Sequence, residues 1–259
     1  DKIATSYVAA SAGGSKVAVS GTVNLLDVAN TAEAWIGVGA VVNANPAYRL
    51  ATQAVIVNAE ATIETINVGG IPSVLALVTG GTKSDGASIG GTYSGIAYTN
   101  TARAHIADGA VVSAETDVSV TAHTHVLAVI VTESGGKGKQ FGIEGTVASN
   151  DIDTHALAWI EDDATVGAGR DVRVDASSDA LGVLITGTIA QGGQAGIGAS
   201  IALNDVAAET QAFIGDLEHD SPAVTGTPSL TFADNGVAAD SITRDAGDEV
   251  ADGFRAGQL

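Results

Sequence analysis

Over much of its length the chain alternates apolar and polar residues with a period of two. In "VIVNA" (Val55 to Ala59), "VSVTA" (Val118 to Ala122) and "VRVDA" (Val172 to Ala176), Val, Val and Ala keep alternate positions while Ile56, Ser119 and Arg173 vary between them. Successive side chains of a strand point to opposite faces, so this pattern predicts strands with one buried and one open face. The varied residues then point outward.

The strands recur. Aligned on "AWI" (Ala34 to Ile36), "AHI" (Ala104 to Ile106), "AWI" (Ala158 to Ile160) and "AFI" (Ala212 to Ile214), four copies follow one another at steps of 70, 54 and 54 residues. The same offsets carry "GTV" at Gly21 onto "GTY" at Gly91, "GTV" at Gly145 and "ASI" at Ala199. The longer first step reads as an insertion. By parity, the Ala and Ile of each copy face inward, with Val57, Val120 and Val174, whereas Trp35, His105, Trp159 and Phe213 face outward. A unit too small to close its own core, stacked on copies of itself, is a solenoid. The expectation is therefore an all-β fold, a right-handed parallel β-helix (β-solenoid) of about 54-residue repeats. Each step of 54 divides into three coils of about 18 residues. The competing architecture is an antiparallel β-sandwich of hairpins joined by the Gly-rich turns "SAGGSK", "GGTKSDG", "SGGKGKQ" and "AQGGQAG".

The pattern stops after Asp216, where "GDLEHDSPAVTGTPSL" brings charges and two prolines. Residues 1–216 read as the repeat domain and 217–259 as a short β-rich extension or the start of a following module, with a turn at Asn235-Gly236. Beginning at Asp1 without Met, the chain reads as a segment of something longer or a processed subunit.

Composition narrows the function classes. With 33 Gly and only 4% aromatic residues, the core has to be built from Val, Ile, Leu and Ala. Thirty acidic against eleven basic residues give a net charge of -19, which repels phosphate backbones and anionic lipid, so nucleic acid is not an expected partner. No apolar run approaches the ~20 residues of a membrane-spanning helix, and membrane insertion is not expected. There is no cysteine, hence no disulfide or thiol chemistry.

"HALAWIEDDATVGAGRDVRVDA", followed by "GIGASIALNDVAAETQAFIGD", resembles the repeats of giant bacterial filamentous adhesins, the haemagglutinin-like and leukotoxin-like surface proteins with β-helical stalks. The tail "SITRDAGDEVADGFRAGQL" is similar to short β-rich repeats of other very large secreted bacterial proteins. The resemblance spans roughly residues 3–216. It implies export to the bacterial cell surface and a structural or adhesive role, and it carries no catalytic residues.

Three sets of residues are candidates for chemistry. The acidic turn Glu161, Asp162 and Asp163 offers the oxygen ligands that calcium prefers, without an EF-hand or nonapeptide spacing; solvated acidic corners are the simpler reading. His105, His123 and His125 face outward, and the 18 residues from His105 to His123, about one expected coil, would stack them as transition-metal ligands. The matching positions of the third copy are Trp159, Ser177 and Asp179, so the imidazoles are not a property of the repeat. Trp35, Trp159 and Phe213 form an outward interaction surface, for self-association, for the rest of a longer parent chain, or for surface glycans. No cofactor is required. Arginines are scattered, and no paired carboxylates or Ser-His-acid arrangement mark an active site, so an enzyme is not expected. The alternative function is a polysaccharide-binding or polysaccharide-processing β-helix.

Overall fold

The computed structural model describes residues 2–70, 82–215, 230–233 and 241–244. The chain divides into two units, Asp1–Gly215 and Asp216–Leu259. The described residues of the first are almost entirely strand: β1 (Lys2–Val8), β2 (Gly13–Gly14), β3 (Val17–Ile36), β4 (Val41–Val42), β5 (Val55–Gly70), β6 (Thr82–Ser84), β7 (Ala87–Ile106), β8 (Val111–Ala114), β9 (Val118–Gly138), β10 (Phe141–Ile160), β11 (Thr165–Ala168), β12 (Val172–Gly192) and β13 (Ala195–Ile214). Among the described residues the one helical turn is a 3-10 segment, Pro46–Tyr48. Among the described residues, no helix is long and apolar enough to cross a membrane.

Every described pairing in this unit is parallel, so hairpins are not its building block. One sheet runs β3-β7-β10-β13, the second runs β1-β5-β9-β12 with β2 and β6 at its far end, and a short third sheet is β4-β8-β11. The chain visits them in turn. A long strand of the first sheet leads through a corner to a short strand of the third, then to a long strand of the second, and a two-residue turn returns it to the first. Val118 pairs with Val172 and Phe141 with Ala195, both 54 residues on. One repeat is therefore one circuit through all three sheets, and the expected subdivision into 18-residue coils does not occur. The reason lies in turn chemistry: twenty residues from Phe141 to Ile160 alternate without a break, so nothing bends the chain at the shorter interval.

The insertion in the first circuit has two parts. The pairing offset is 70 at Val41 and Val111, 63 at Val55 and Val118, and 54 at Lys83 and Lys137. Seven extra residues thus lie between β4 and β5, where Asn43, at φ 59, donates to the Ser113 carbonyl and its own carbonyl accepts from Arg49 Nε. The other nine precede Lys83.

The core has two zones. Around the third sheet, Ala102, Ala104, Ile106, Val112, Val118, Val120, Ala158 and Ile160 pack as a buried apolar cluster. A second cluster continues along the long strands through Ile63, Ile96, Tyr98, Val126, Ile130 and Ile152. Beyond it, toward the two-residue turns, the buried residues become Ser88, Thr92, Ser94, Thr132, Ser134, Glu144 and Thr146. There the sheets converge: a Cβ on Gly192 would run into the Ala195 carbonyl, and one on Gly136 into the Glu144 carboxylate.

The expected inward row is buried at Val57, Ile106, Val120 and Ile160 and half-buried at Ile36 and Val174, but Ile214 is 69% exposed. Ile214 lies on β13, the last strand of its sheet, with no described strand of the second sheet beyond β12 to cover it. In the second unit, β14 (Leu230–Ala233) and β15 (Ser241–Arg244) pair antiparallel. The stretch 216–229 and the Asn235-Gly236 turn lie outside the described residues.

Candidate functional site

Parallel in-register pairing turns each outward position into a row across the sheet. The first sheet's row next to its corner is Trp35, His105, Trp159, Phe213. The rings stack in that order, with centroids 6.4, 4.4 and 6.2 Å apart and planes within 11° of parallel. Stacking removes the inner rings from water: Trp159 is 8% exposed while Trp35, at the end of the row, is 59% exposed. Burial lowers the His105 pKa, opposed by the charges of Glu161 and Glu33, and its Nδ1 is buried without a hydrogen bond. His105 is thus a neutral plate between two indoles.

That placement separates His105 from the other two candidate ligands. His123 and His125 lie on β9, in the second sheet, on the far side of the corner. Because a circuit takes 54 residues, a separation of 18 carries the chain from one sheet to another instead of one strand over. The residues that do meet are His123, His125 and Asp179, whose ligating atoms lie within 4.8 Å of one another.

The acidic turn is also regrouped. Glu161 faces the corner, its Oε2 accepting the Asp108 N–H at 2.7 Å and its Oε1 facing Trp159 Nε1 at 3.4 Å. Asp162 and Asp163 gather instead with Asp108, one circuit earlier. Oxygen ligands for calcium are available there: Asp162 and Asp163 are open to solvent, whereas Asp108 is half-buried with its Oδ1 shielded and without a hydrogen bond.

Two features were not anticipated. Nearer the two-residue turns, the outward rows of the first sheet become apolar: Val19, Ile89, Ile143 and Ile197 form one, and Val23, Tyr93, Val147 and Ile201 another. Beside them an open groove of about 470 Å³ is lined by Leu25, Asp27, Tyr93, Gly95, Ser149 and Asp151. The Tyr93 ring lies over Gly95, where a Cβ would meet it. Each row is legible once the 54-residue register is applied across the chain. The same register pairs His125 with Asp179.

Between corner and groove, His155 bridges two circuits, Nδ1 to Glu209 at 2.9 Å and Nε2 to Asp153 at 3.2 Å. The Glu209 hydrogen bond, with Asp153, raises its pKa against a smaller opposing effect of burial. Comparison with protein-family models, with curated proteins and with solved structures finds no match for this chain.

Proposed function

We propose that the first unit is a right-handed parallel β-solenoid, and that the chain is a non-catalytic, structural and adhesive segment of an extended extracellular bacterial surface protein or filament. The hand follows from the strong right-handed preference of crossovers between parallel strands of one sheet. Export and surface display rest on the resemblance of the repeats to filamentous adhesins. The observation that carries the assembly role is the inward row of β13: Ile160 is 3% exposed, and Ile214, its partner one circuit on, is 69% exposed. Among the described residues that apolar row is uncovered and the outer edge of β13 has no partner strand, a template for a further circuit from the parent chain or from a second copy.

The test is sedimentation velocity with negative-stain microscopy across a rising concentration series. Rod-like association that is weakened by Ile214→Glu with Val206→Glu, at unchanged melting temperature, is expected. A parent that remains a compact monomer at every concentration would contradict it.

A second reading, glycan binding, is favoured by the groove beside Tyr93, where an aromatic face meets Asp27 and Asp151, a combination suited to sugar rings and hydroxyls. Tyr93→Ala should then abolish retention on a polysaccharide matrix without altering sedimentation.

A further inference from the structure

The imidazoles of β9 and the carboxylate of β12 form a constellation separate from the stacking surfaces. Strand alternation puts His123 and His125 on the outer face of the second sheet, two positions apart. The neighbouring strand lies parallel, with Ser177 in register with His123 and Asp179 with His125. His123 Nε2 is 3.9 Å from Asp179 Oδ2, and the ligating atoms of all three residues fall within 4.8 Å of one another. Metal–ligand bonds of about 2.0–2.2 Å place adjacent ligand atoms roughly 3–3.4 Å apart around a zinc-sized ion. Closing the set requires about 1 Å of movement from side chains that have solvent on one side.

Three contacts prepare the site. His123 Nδ1 lies 2.9 Å from Ser177 Oγ, and the tautomer that donates Nδ1–H to that oxygen leaves the Nε2 lone pair toward Asp179. The His125 carbonyl accepts from buried Asn100 Nδ2 at 3.1 Å, which holds the backbone between the two histidines and the core. On the inner face, Thr124 Oγ1 donates to Ser178 Oγ at 2.9 Å, tying β9 to β12 at the level of the ligands. The rows concerned, Glu60, His123, Ser177 and Thr62, His125, Asp179, contain no Lys or Arg to compete with a cation.

We propose that His123, His125 and Asp179 bind one divalent transition-metal ion of the zinc class, with the remaining coordination positions open to water or an exogenous ligand. Two imidazole nitrogens with one carboxylate suit zinc, nickel, copper or iron, whereas calcium and magnesium take oxygen sets. The net charge of -19 raises the local concentration of any cation.

Isothermal titration of the full chain with ZnCl2, in a non-chelating buffer at neutral pH, tests this. One saturable equivalent is expected, unaffected by excess calcium or magnesium. His125→Ala and Asp179→Asn should each weaken it at least 100-fold and Ser177→Ala about 10-fold, while His105→Ala leaves it unchanged. Circular dichroism establishes that each variant is folded. As a readout on the parent alone, nitrogen-15 NMR of the five histidines should show zinc moving the ring signals of His123 and His125 only. Zinc binding that survives in His125→Ala, or no saturable binding by the parent, would overturn the proposal.

Discussion

The corner end and the turn end of the stack are built on opposite terms. At the corner, three sheets enclose a wide section filled by Ala, Val and Ile, and the outer rows carry Glu33, Arg103, His155 and Glu209 beside the aromatic stack. At the turns, two sheets converge over Gly, Ser and Thr, Glu144 is buried, and the outer rows of the first sheet carry Val, Ile, Tyr and Phe. The inward parity never changes along β3: Ala18, Thr22, Asn24 and Val28 are all buried. What changes is which parity is apolar. Space explains it: a two-residue turn brings the sheets too close for a row of large inward side chains, Glu144 fitting only where Gly90 and Gly136 face it, so the apolar mass of the first sheet moves outside. A face of that kind either meets a partner or makes the protein sticky.

The contrast is broken most severely by placing the same substitution at each end. Ile106→Asp, at the corner, puts a carboxyl where the isoleucine is fully buried; keeping it neutral at pH 7 costs roughly 4 kcal/mol, before the loss of isoleucine packing. Ile143→Asp, on the outer turn-end row, should change denaturant stability by less than about 1 kcal/mol and reduce self-association. Equal losses of stability would erase the distinction.

The boundary between the two zones is Tyr98, whose hydroxyl meets Thr65 Oγ1 at 2.6 Å and accepts from Asn67 Nδ2 at 3.0 Å. Burial raises its pKa against those two hydrogen bonds, so the phenol is held neutral. Tyr98→Phe strands both partners and should cost about 1–3 kcal/mol in chemical denaturation. Deeper in the polar zone, Thr146 Oγ1 donates to the Gly187 carbonyl at 2.8 Å and lies 2.9 Å from Ser134 Oγ. Thr146→Val, nearly the same shape, should cost about 1 kcal/mol. A gain in stability from that valine would mean that the hydroxyl network is dispensable.

How far the sequence carried depends on which residues one follows. The offsets of 70 and 54 read from "AWI" and its relatives are the registers of the first sheet, because identical rows stack on themselves in a parallel array. Inward burial of Ile106 and Ile160 was likewise legible from alternation. The circuit length was not: the corners at Ala107 to Ala110 and Glu161 to Ala164 are four-residue turns closed by the same hydrogen bond, but Asp-Gly at the centre of one and Asp-Asp at the centre of the other do not read as one motif. Mistaking it joined His105 to His123 and kept Asp179 and Asp108 out of their groups. The apolar outer rows were missed for a different reason: alternation reveals two faces, and the apolar one is ordinarily taken as the inner.

The smallest effects distinguish two histidines on the same outer face. The His105 pKa is lowered, so its contribution to stability is complete above the ordinary imidazole value of about 6.5 and is lost as pH falls through the depressed folded value. The His155 pKa is raised, so its contribution is complete below about 6.5 and is lost as pH rises through the elevated folded value. Melting curves of His105→Gln and His155→Gln against the parent should therefore diverge from it at opposite ends of the range from pH 5 to 8. Divergence at the same end would show that stacking and ion pairing do not set these protonation states.

The 54-residue circuit is tested most directly by distance. The chain has no cysteine, so nitroxide labels can be placed in pairs by substitution alone. Ile143→Cys with Ile197→Cys occupies adjacent strands in register, about 5 Å apart at the backbone, and should give strong dipolar broadening. Ile143→Cys with Glu161→Cys spans nearly the whole of β10, roughly 60 Å at about 3.3 Å per residue, and should give none. Broadening in the second pair and not in the first would restore an 18-residue coil and contradict the circuit.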